Sequence, residues 1–160
     1  MFLFILLEML RRTHLVIGLA VALQFLPHIE SKALFLIVVL VSSILPDIDS
    51  PSSFLGKTWF GKPISDLSTH RGIFHSYTFC ILVSLLFAFF YPILAFPFFL
   101  GYGFHLFADS FTPRGIKPFW PIKQVSSGKV TTGGRIEDVL FWTFVFINIT
   151  LIVVLFVYYF

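Results

Sequence analysis

The chain has 160 residues and a formal net charge of +3; 58% of its residues are hydrophobic, 12% are charged, and phenylalanine alone contributes 23. Soluble domains carry roughly a quarter charged residues, so this chain lacks the polar surface that keeps a folded protein in water. The composition therefore predicts a membrane protein with one domain over 1–160, and it excludes a small secreted scaffold, a disordered tail and a nucleic-acid-binding protein.

Five apolar segments follow one another along the chain. They cover 15–27, 33–46, 73–91, 93–111 and 139–160. A hydrocarbon core of ~30 Å takes about 17 to 25 helical residues to cross, so the last three segments are long enough. The first two need polar end residues, a thinned bilayer or burial against the others. Continuous rather than alternating runs argue against strands. The sequence predicts an all-α integral membrane bundle of about five transmembrane helices.

The basic residues predict the orientation of this bundle. With a cytoplasmic N-terminus, ten of the eleven Lys and Arg residues fall on the inner side: Arg11, Arg12, Lys57, Lys62, Arg71, Arg114, Lys117, Lys123, Lys129 and Arg135. Only Lys32 falls outside. The positive-inside rule then predicts a multi-pass membrane protein with its C-terminus outside.

Residues 1–12 begin with an apolar leader, MFLFILLE, that precedes two arginines. A secretory signal has the reverse order, and no small-residue cleavage site follows, so we expect no processing. The leader is either an apolar prefix to the first helix or an upstream extension of the reading frame, because Met9 offers a second start.

The ionisable side chains converge on one predicted face. An aspartate at a helix centre costs about 2.5 to 3.5 kcal/mol on insertion scales, so a cluster of such groups needs a cause. On the five-helix topology, the cytoplasmic end collects His14, Asp47, Asp49, His70, His75, His105 and Asp109. His28 and Glu30 lie at the opposite face and are interpreted as ordinary interfacial residues.

Two short motifs carry carboxylates. His105 and Asp109 are four residues apart in a helical run, so they share a helix face, either as a bidentate metal-binding surface or as a hydrogen-bonded pair between helices. Asp47 and Asp49 follow Pro46, which ends the second helix. Two neighbouring carboxylates repel unless a metal or proton lies between them; the alternative is a solvated turn with a helix cap.

His70 and His75 precede the third segment. Residues five positions apart do not share a face of a helix, so both imidazoles reach one site only if the helix begins between them. Ser68 or Thr69 would be the cap of that helix. Arg71 lies where a phosphate or carboxylate could be held bidentately. The alternative is a capped helix start with two interfacial imidazoles.

Three signals are weaker. His14 alone is equally well explained as an interfacial imidazole. Glu137 stands in the first turn of a predicted helix, where the helix dipole favours an acid. The basic loop 115–124, with Arg114 before it and Trp120 within it, could bind phosphates or rest on anionic headgroups.

Taken together, four separate regions would place His or Asp at the same face for unrelated reasons if no site existed. Neutral imidazoles with carboxylates suit Zn, Mn or Fe better than Ca or Mg, and the absence of Cys ligands favours a catalytic over a closed structural site. The pattern therefore predicts a site for one or two divalent ions, with Zn as the first choice.

The same residues carry a family resemblance. TH at 13–14, LPDID at 45–49, HRGIFHS at 70–76 and GYGFHLFADSFTPRG at 101–115 resemble the motif series of the YdjM-like, LexA-regulated family of inner-membrane proteins, which are predicted metal-dependent hydrolases. The resemblance covers 13–140 and implies an integral membrane hydrolase. HLFADSFTP is more distantly similar to the His-x3-Asp helix of the all-helical zinc-dependent phospholipase C and P1-type nuclease group, which cleaves phosphoesters with a small metal cluster.

The sequence thus predicts a membrane-bound metal-dependent hydrolase that cleaves a phosphoester of a phospholipid or lipid-linked substrate at the cytoplasmic face. The predicted metal ligands are His14, Asp47, His70, His105 and Asp109. The predicted catalytic residues are Asp49 or His75, as orienting group or general base, and Arg71 with Arg114, as cations that neutralise phosphate. The alternatives are a structural metal site or a metal or proton transporter, and the apolar midplane disfavours transport.

Overall fold

The computed structural model describes residues 9–50, 58, 59, 62 and 72–159. In this part of the chain the backbone forms α1 (Arg11–Phe25), α2 (Lys32–Ser42), α3 (Tyr77–Phe90), α4 (Pro92–Asp109) and α5 (Arg135–Tyr159). Short 3₁₀ turns lie at Leu26–His28, Leu45–Asp49 and Ile73–His75. Extended pairing within the described ranges is limited to an isolated antiparallel bridge between Ile116 and Ser126. The all-helical class predicted from the sequence is confirmed.

The described helices differ in their ability to cross a membrane. One of them is long and apolar enough by itself: α5, over Arg135–Tyr158, whose most apolar 18-residue stretch has a mean hydropathy of 2.6. The third predicted segment, 73–91, yields only the 14 residues of α3, fewer than the ~17 that a span needs. The five transmembrane helices expected from the sequence therefore remain a prediction.

The start of α3 explains its shortness. The first three residues of the predicted segment form a 3₁₀ turn, and the hydroxyl of Ser76 then accepts a hydrogen bond from the amide of Phe79 at 3.2 Å. Ser76 is therefore the cap of this helix. The predicted caps, Ser68 and Thr69, lie outside the described residues, and the helix begins after His75 rather than before it.

Helix α4 is the centre of the bundle, and small residues allow its neighbours to approach it. A Cβ atom on Gly101 would lie 2.3 Å from the carbonyl oxygen of Val39 and 2.8 Å from the Cβ of Ser42, both on α2. A Cβ on Gly18 of α1 would lie 2.8 Å from the Cβ of Ser43. Close backbone approach through small residues is how helices gain packing energy when lipid removes the hydrophobic drive between them.

Apolar side chains pack on two sides of α4. On one side, Tyr102 and Leu106 contact α3 through the buried Cys80. On the other side, Leu100 contacts Val39 of α2. Because both clusters share α4, the direction in which this helix presents its polar residues is set by packing on either side.

Helix α5 lies along α1, and polar contacts join the two. Glu137 is fully buried, and its carboxylate accepts hydrogen bonds from the amide of Leu10, the hydroxyl of Thr13 and the amide of Gly133. Further along, the side-chain amide of Asn148 donates to the carbonyl of Val16 at 2.9 Å. The carboxylate of Glu137 thus accepts from one backbone amide and one hydroxyl at the start of α1, which holds that end in place.

Replacing Gly101 with alanine tests the close α2–α4 contact. We expect Gly101→Ala to lower the free energy of unfolding by about 1–3 kcal/mol, because the added methyl overlaps main-chain atoms that cannot rotate away. Gly103→Ala on the same helix is the matched control, since its Cβ would meet nothing closer than a Tyr77 ring carbon at 4.0 Å. Thermal unfolding in detergent measures both, and equal effects would contradict the assigned contact.

Candidate metal centre

Six polar side chains meet at one end of the bundle, and each comes from a helix end or an adjoining turn. The set consists of His14, Asp47, Asp49, His75, His105 and Asp109. The start of α1, the turn after α2, the turn before α3 and the end of α4 supply them. Successive helices therefore run in opposite directions and bring residues as distant as His14 and Asp109 together.

Three imidazoles converge on two carboxylates. The Nε2 atom of His105 lies 3.7 Å from Oδ1 of Asp47 and 3.9 Å from Oδ2 of Asp109. The Nε2 atom of His75 lies 3.9 Å and 3.7 Å from the same two oxygens. The Nε2 atom of His14 lies 3.4 Å from Oδ1 of Asp109. Lone-pair donors from four chain regions thus surround one small volume.

Hydrogen bonds to the Nδ1 atoms of His75 and His105 determine which ring nitrogen faces the centre of the cluster. Nδ1 of His105 donates to the carbonyl oxygen of Ser43 at 2.8 Å, and a carbonyl only accepts, so the proton is on Nδ1. Nδ1 of His75 lies 3.1 Å from Oδ2 of the fully buried Asp49, to which it donates. Both rings therefore present Nε2 as a lone-pair donor. A carboxylate or carbonyl behind a histidine is the arrangement that orients metal-binding imidazoles.

The rings also support one another by packing. The imidazoles of His14 and His105 stack with centroids 3.9 Å apart and planes inclined by 16°. The ring of His75 meets that of His105 edge-on, with centroids 5.5 Å apart. So short a stacking distance favours the uncharged form of both imidazoles, because two adjacent imidazolium charges would repel each other.

The donor set fits a transition-metal ion. Two trios, His14–Asp47–His105 and His75–His105–Asp109, each have their ligand atoms within 4.8 Å of one another. Tetrahedral zinc with bonds of ~2.0–2.1 Å holds its ligand atoms about 3.3 Å apart, and the separations of 3.4–3.9 Å are slightly wider. Nε2 of His105 is buried without a hydrogen-bond partner among the described residues, which is costly unless a cation takes its lone pair.

His105 belongs to both trios, and this limits how they are used. Its Nδ1 is committed to Ser43, so only Nε2 remains for a metal, and one imidazole nitrogen binds one ion at a time. The two trios are therefore better described as one site with up to five protein donors than as two independent sites.

Access to the centre is uneven. The side chain of Asp47 is 19% exposed, whereas those of His75 and Asp49 are fully buried. Within the described residues, a small molecule approaching the centre would meet Asp47 first. The side chains of His14, His75, His105 and Asp109 are almost fully buried.

Two of the predicted site residues, His70 and Arg71, lie outside the described residues. Arg114 is half-buried in the segment that leaves α4, five residues beyond Asp109. His28 lies at the far end of α1, where it lines a cavity with Tyr158 near the end of α5.

Two positioning groups were not identified from the sequence. The carbonyl of Ser43 orients His105, but no side-chain pattern signals a backbone acceptor. Glu137 fixes the start of α1 next to His14 through two hydrogen bonds, from Leu10 and Thr13, whereas the sequence explained it by the dipole of its own helix. Its partners at Leu10 and Thr13 are more than 120 positions away, so only the fold reveals the pairing.

Comparisons with known proteins agree with the motif pattern. A family model described as YdjM inner membrane protein matches residues 9–160. Two curated relatives, inner membrane protein YdjM of Escherichia coli (strain K12) and of Shigella flexneri, are each 38% identical to the chain over a match that covers 52% of it and 47% of the relative. The matched part thus spans about half the length of these relatives. No solved structure gives a significant match.

Loss of His105 tests the centre most directly. We expect His105→Ala to abolish stoichiometric metal binding. Removal of a residue that only hydrogen-bonds to a metal ligand lowers the metal affinity by ~10–100-fold, and loss of the ligand itself should lower it further. Elemental analysis of purified protein and a zinc titration measure this. The matched control is His28→Ala, which removes an exposed imidazole far from the cluster. Unchanged metal content in His105→Ala would contradict the assignment.

Proposed function

The chain belongs to the YdjM family of inner membrane proteins, and on that premise we propose that it is a membrane-bound, metal-dependent hydrolase. The observation that carries the proposal is the convergence of three buried imidazoles on Asp47 and Asp109, two of them with their Nε2 atoms oriented by hydrogen bonds. A mixed nitrogen and oxygen donor set without thiolates is typical of hydrolytic metal sites.

A divalent ion held by the three imidazoles and by Asp47 and Asp109 would supply a Lewis acid for hydrolysis. The chain's own residues position the rest. Asp49 holds the His75 ring in the orientation that exposes Nε2. Asp47, whose side chain is 19% exposed, is the cluster residue that a substrate would meet first within the described part of the chain. Arg114, and Arg71 outside the described residues, are the cations proposed to neutralise phosphate.

The proposed substrate is a phosphoester of a phospholipid or of a lipid-linked molecule. Every cluster residue comes from a helix end or an adjoining turn, which supports a site at the level where a membrane bundle would meet the headgroups. A headgroup can then reach the centre laterally while its acyl chains remain in the bilayer. Transport is less well supported, because transport sites place ionisable groups near the bilayer midplane.

The proposed topology is multi-pass, with α1 to α4 entering the bilayer beside α5. The alternation of helix directions around the cluster supports it, because that alternation places the starts of α1 and α3 at the same end as the close of α4. The distribution of basic residues makes this end cytoplasmic. The N-terminus is then inside and the C-terminus outside.

A structural metal is the second candidate, and burial favours it. Five of the six polar side chains of the cluster are almost fully buried, and a metal held in such a place contributes its binding free energy to folding. The two functions differ in what chelation does, since a structural metal stabilises the fold whereas a catalytic one is needed for turnover.

Replacing Asp49 distinguishes these functions. We expect Asp49→Asn to weaken metal binding by ~10–100-fold and to lower turnover at saturating metal, because the amide no longer supports the His75 ring as a carboxylate does. Phosphate or headgroup release from mixed phospholipids in nanodiscs measures turnover, with and without chelator. Asp138→Asn, on an exposed ion pair with Arg12, is the control.

The opposite result is equally informative. If chelation lowers the melting temperature but no phospholipid or lipid phosphate is turned over with metal restored, the metal is structural and the hydrolase proposal is wrong.

Labelling of introduced cysteines tests the topology. In a Cys80→Ala background, we expect Glu30→Cys to react with a membrane-impermeant maleimide in intact cells, and Lys123→Cys to react only after permeabilisation. The reason is that the two positions lie at opposite ends of the bundle. Labelling of both from outside would contradict the proposed orientation.

A further inference from the structure

The segment between α4 and α5, residues 110–134, has a composition that the metal centre does not use. It contains four cations, Arg114, Lys117, Lys123 and Lys129, and no acidic residue. It leads directly into α5, the described helix that is long and apolar enough to cross a membrane. Its charge is therefore uniformly positive at the point where the chain enters the bilayer.

Part of this segment forms a fixed hairpin, which we call hairpin 116–126. The amide of Ile116 donates to the carbonyl of Ser126, and the reverse bond has the same length of 2.9 Å. Gly115 precedes the hairpin with φ +63°, and a Cβ there would lie 2.1 Å from the Ser126 carbonyl oxygen. Glycine is therefore required at the base of the hairpin.

The hairpin is attached to the bundle next to the metal centre. Ile116 is 1% exposed and belongs to the apolar cluster around α4. The carbonyl of Pro118 accepts a hydrogen bond from the amide of Tyr77 at 2.8 Å, only two residues after His75. These contacts hold the hairpin beside the cluster.

The tip of the hairpin is apolar and uncovered. Phe119 and Ile122 are each 59% exposed, and Trp120 is 39% exposed. Exposed apolar side chains on a membrane-spanning helix contact lipid. These three residues instead lie in the connection between the end of α4 and the start of α5, so their exposure needs a separate explanation. Lys117 and Lys123 flank the tip within the hairpin. Aromatic side chains bordered by lysines are typical of segments that rest at the membrane–water interface.

We propose that hairpin 116–126 inserts its tip into the headgroup layer of the cytoplasmic leaflet and binds anionic phospholipid headgroups through Lys117 and Lys123. Charge complementarity selects this occupant, because a wholly cationic segment is attracted to an anionic leaflet. The continuity of the segment with α5 places it at the required depth. This contact is independent of catalysis, and it concentrates anionic lipid beside the metal centre.

The depth of Trp120 is the first test. In a Trp59→Phe/Trp142→Phe variant reconstituted in nanodiscs, Trp120 is the remaining tryptophan. Phospholipids brominated near the top of the acyl chains should quench its fluorescence, and aqueous iodide should quench it little. Strong iodide quenching without quenching by brominated lipid would overturn the insertion, and so would shielding from both, which would indicate a protein partner or a second copy on the tip.

The lysines are the second test. Each lysine near an anionic surface contributes about a fivefold preference, so Lys117→Gln/Lys123→Gln should reduce the preference for phosphatidylglycerol over phosphatidylcholine by ~25-fold. Lipid exchange in mixed nanodiscs, read by native mass spectrometry, measures this without any turnover. Lys32→Gln, at the start of α2, is the control.

Two outcomes would contradict the lysine contact. A preference that is unchanged in the double variant, with helicity and metal content retained, refutes the assignment to Lys117 and Lys123. Competition by millimolar inorganic phosphate would show a site for free phosphate instead of a lipid surface.

Discussion

Buried imidazoles and carboxylates must be paired, and in an apolar chain this requirement decides how the helices meet. Of the six side chains in the cluster, only Asp47 is appreciably exposed. Leaving such groups in a dry interior without partners would cost several kcal/mol in total, since each unpaired polar group costs about 1–3 kcal/mol. Each of three helix ends carries part of this polar set: the start of α1, the start of α3 and the end of α4. The polar side chains find one another only when these helix ends meet.

The rest of the bundle maintains this convergence. Gly101 allows α4 to approach α2 closely enough for the carbonyl of Ser43 to reach His105. Glu137 of α5 holds the first turn of α1, which carries His14. Mutual positioning of this kind is what separates a metal centre from a chance group of polar residues, because ligands are useful only when groups behind them fix their orientation.

The position of the cluster also governs which molecules reach it. In the proposed topology, a centre at the helix ends with Asp47 as its exposed residue would be accessible from the headgroup layer and shielded from the bilayer midplane. Hairpin 116–126 is joined to Tyr77, the first residue of α3, by a hydrogen bond to the carbonyl of Pro118. Metal chemistry and lipid recognition would then share one surface, which suits a substrate whose reactive part is polar and whose remainder stays in the membrane.

The sequence alone predicted the helical class, the membrane setting and a gathering of His and Asp side chains, because apolar runs, charge placement and the four-residue spacing of His105 and Asp109 are local properties. It placed the start of the third helix too early, since a 3₁₀ turn and the Ser76 cap depend on neighbouring segments. The fold alone decided that His75 faces Asp47 and Asp109 while Asp49 stands behind it. Those contacts cross dozens of residues, and local spacing carries no information about which side of a turn faces the interior.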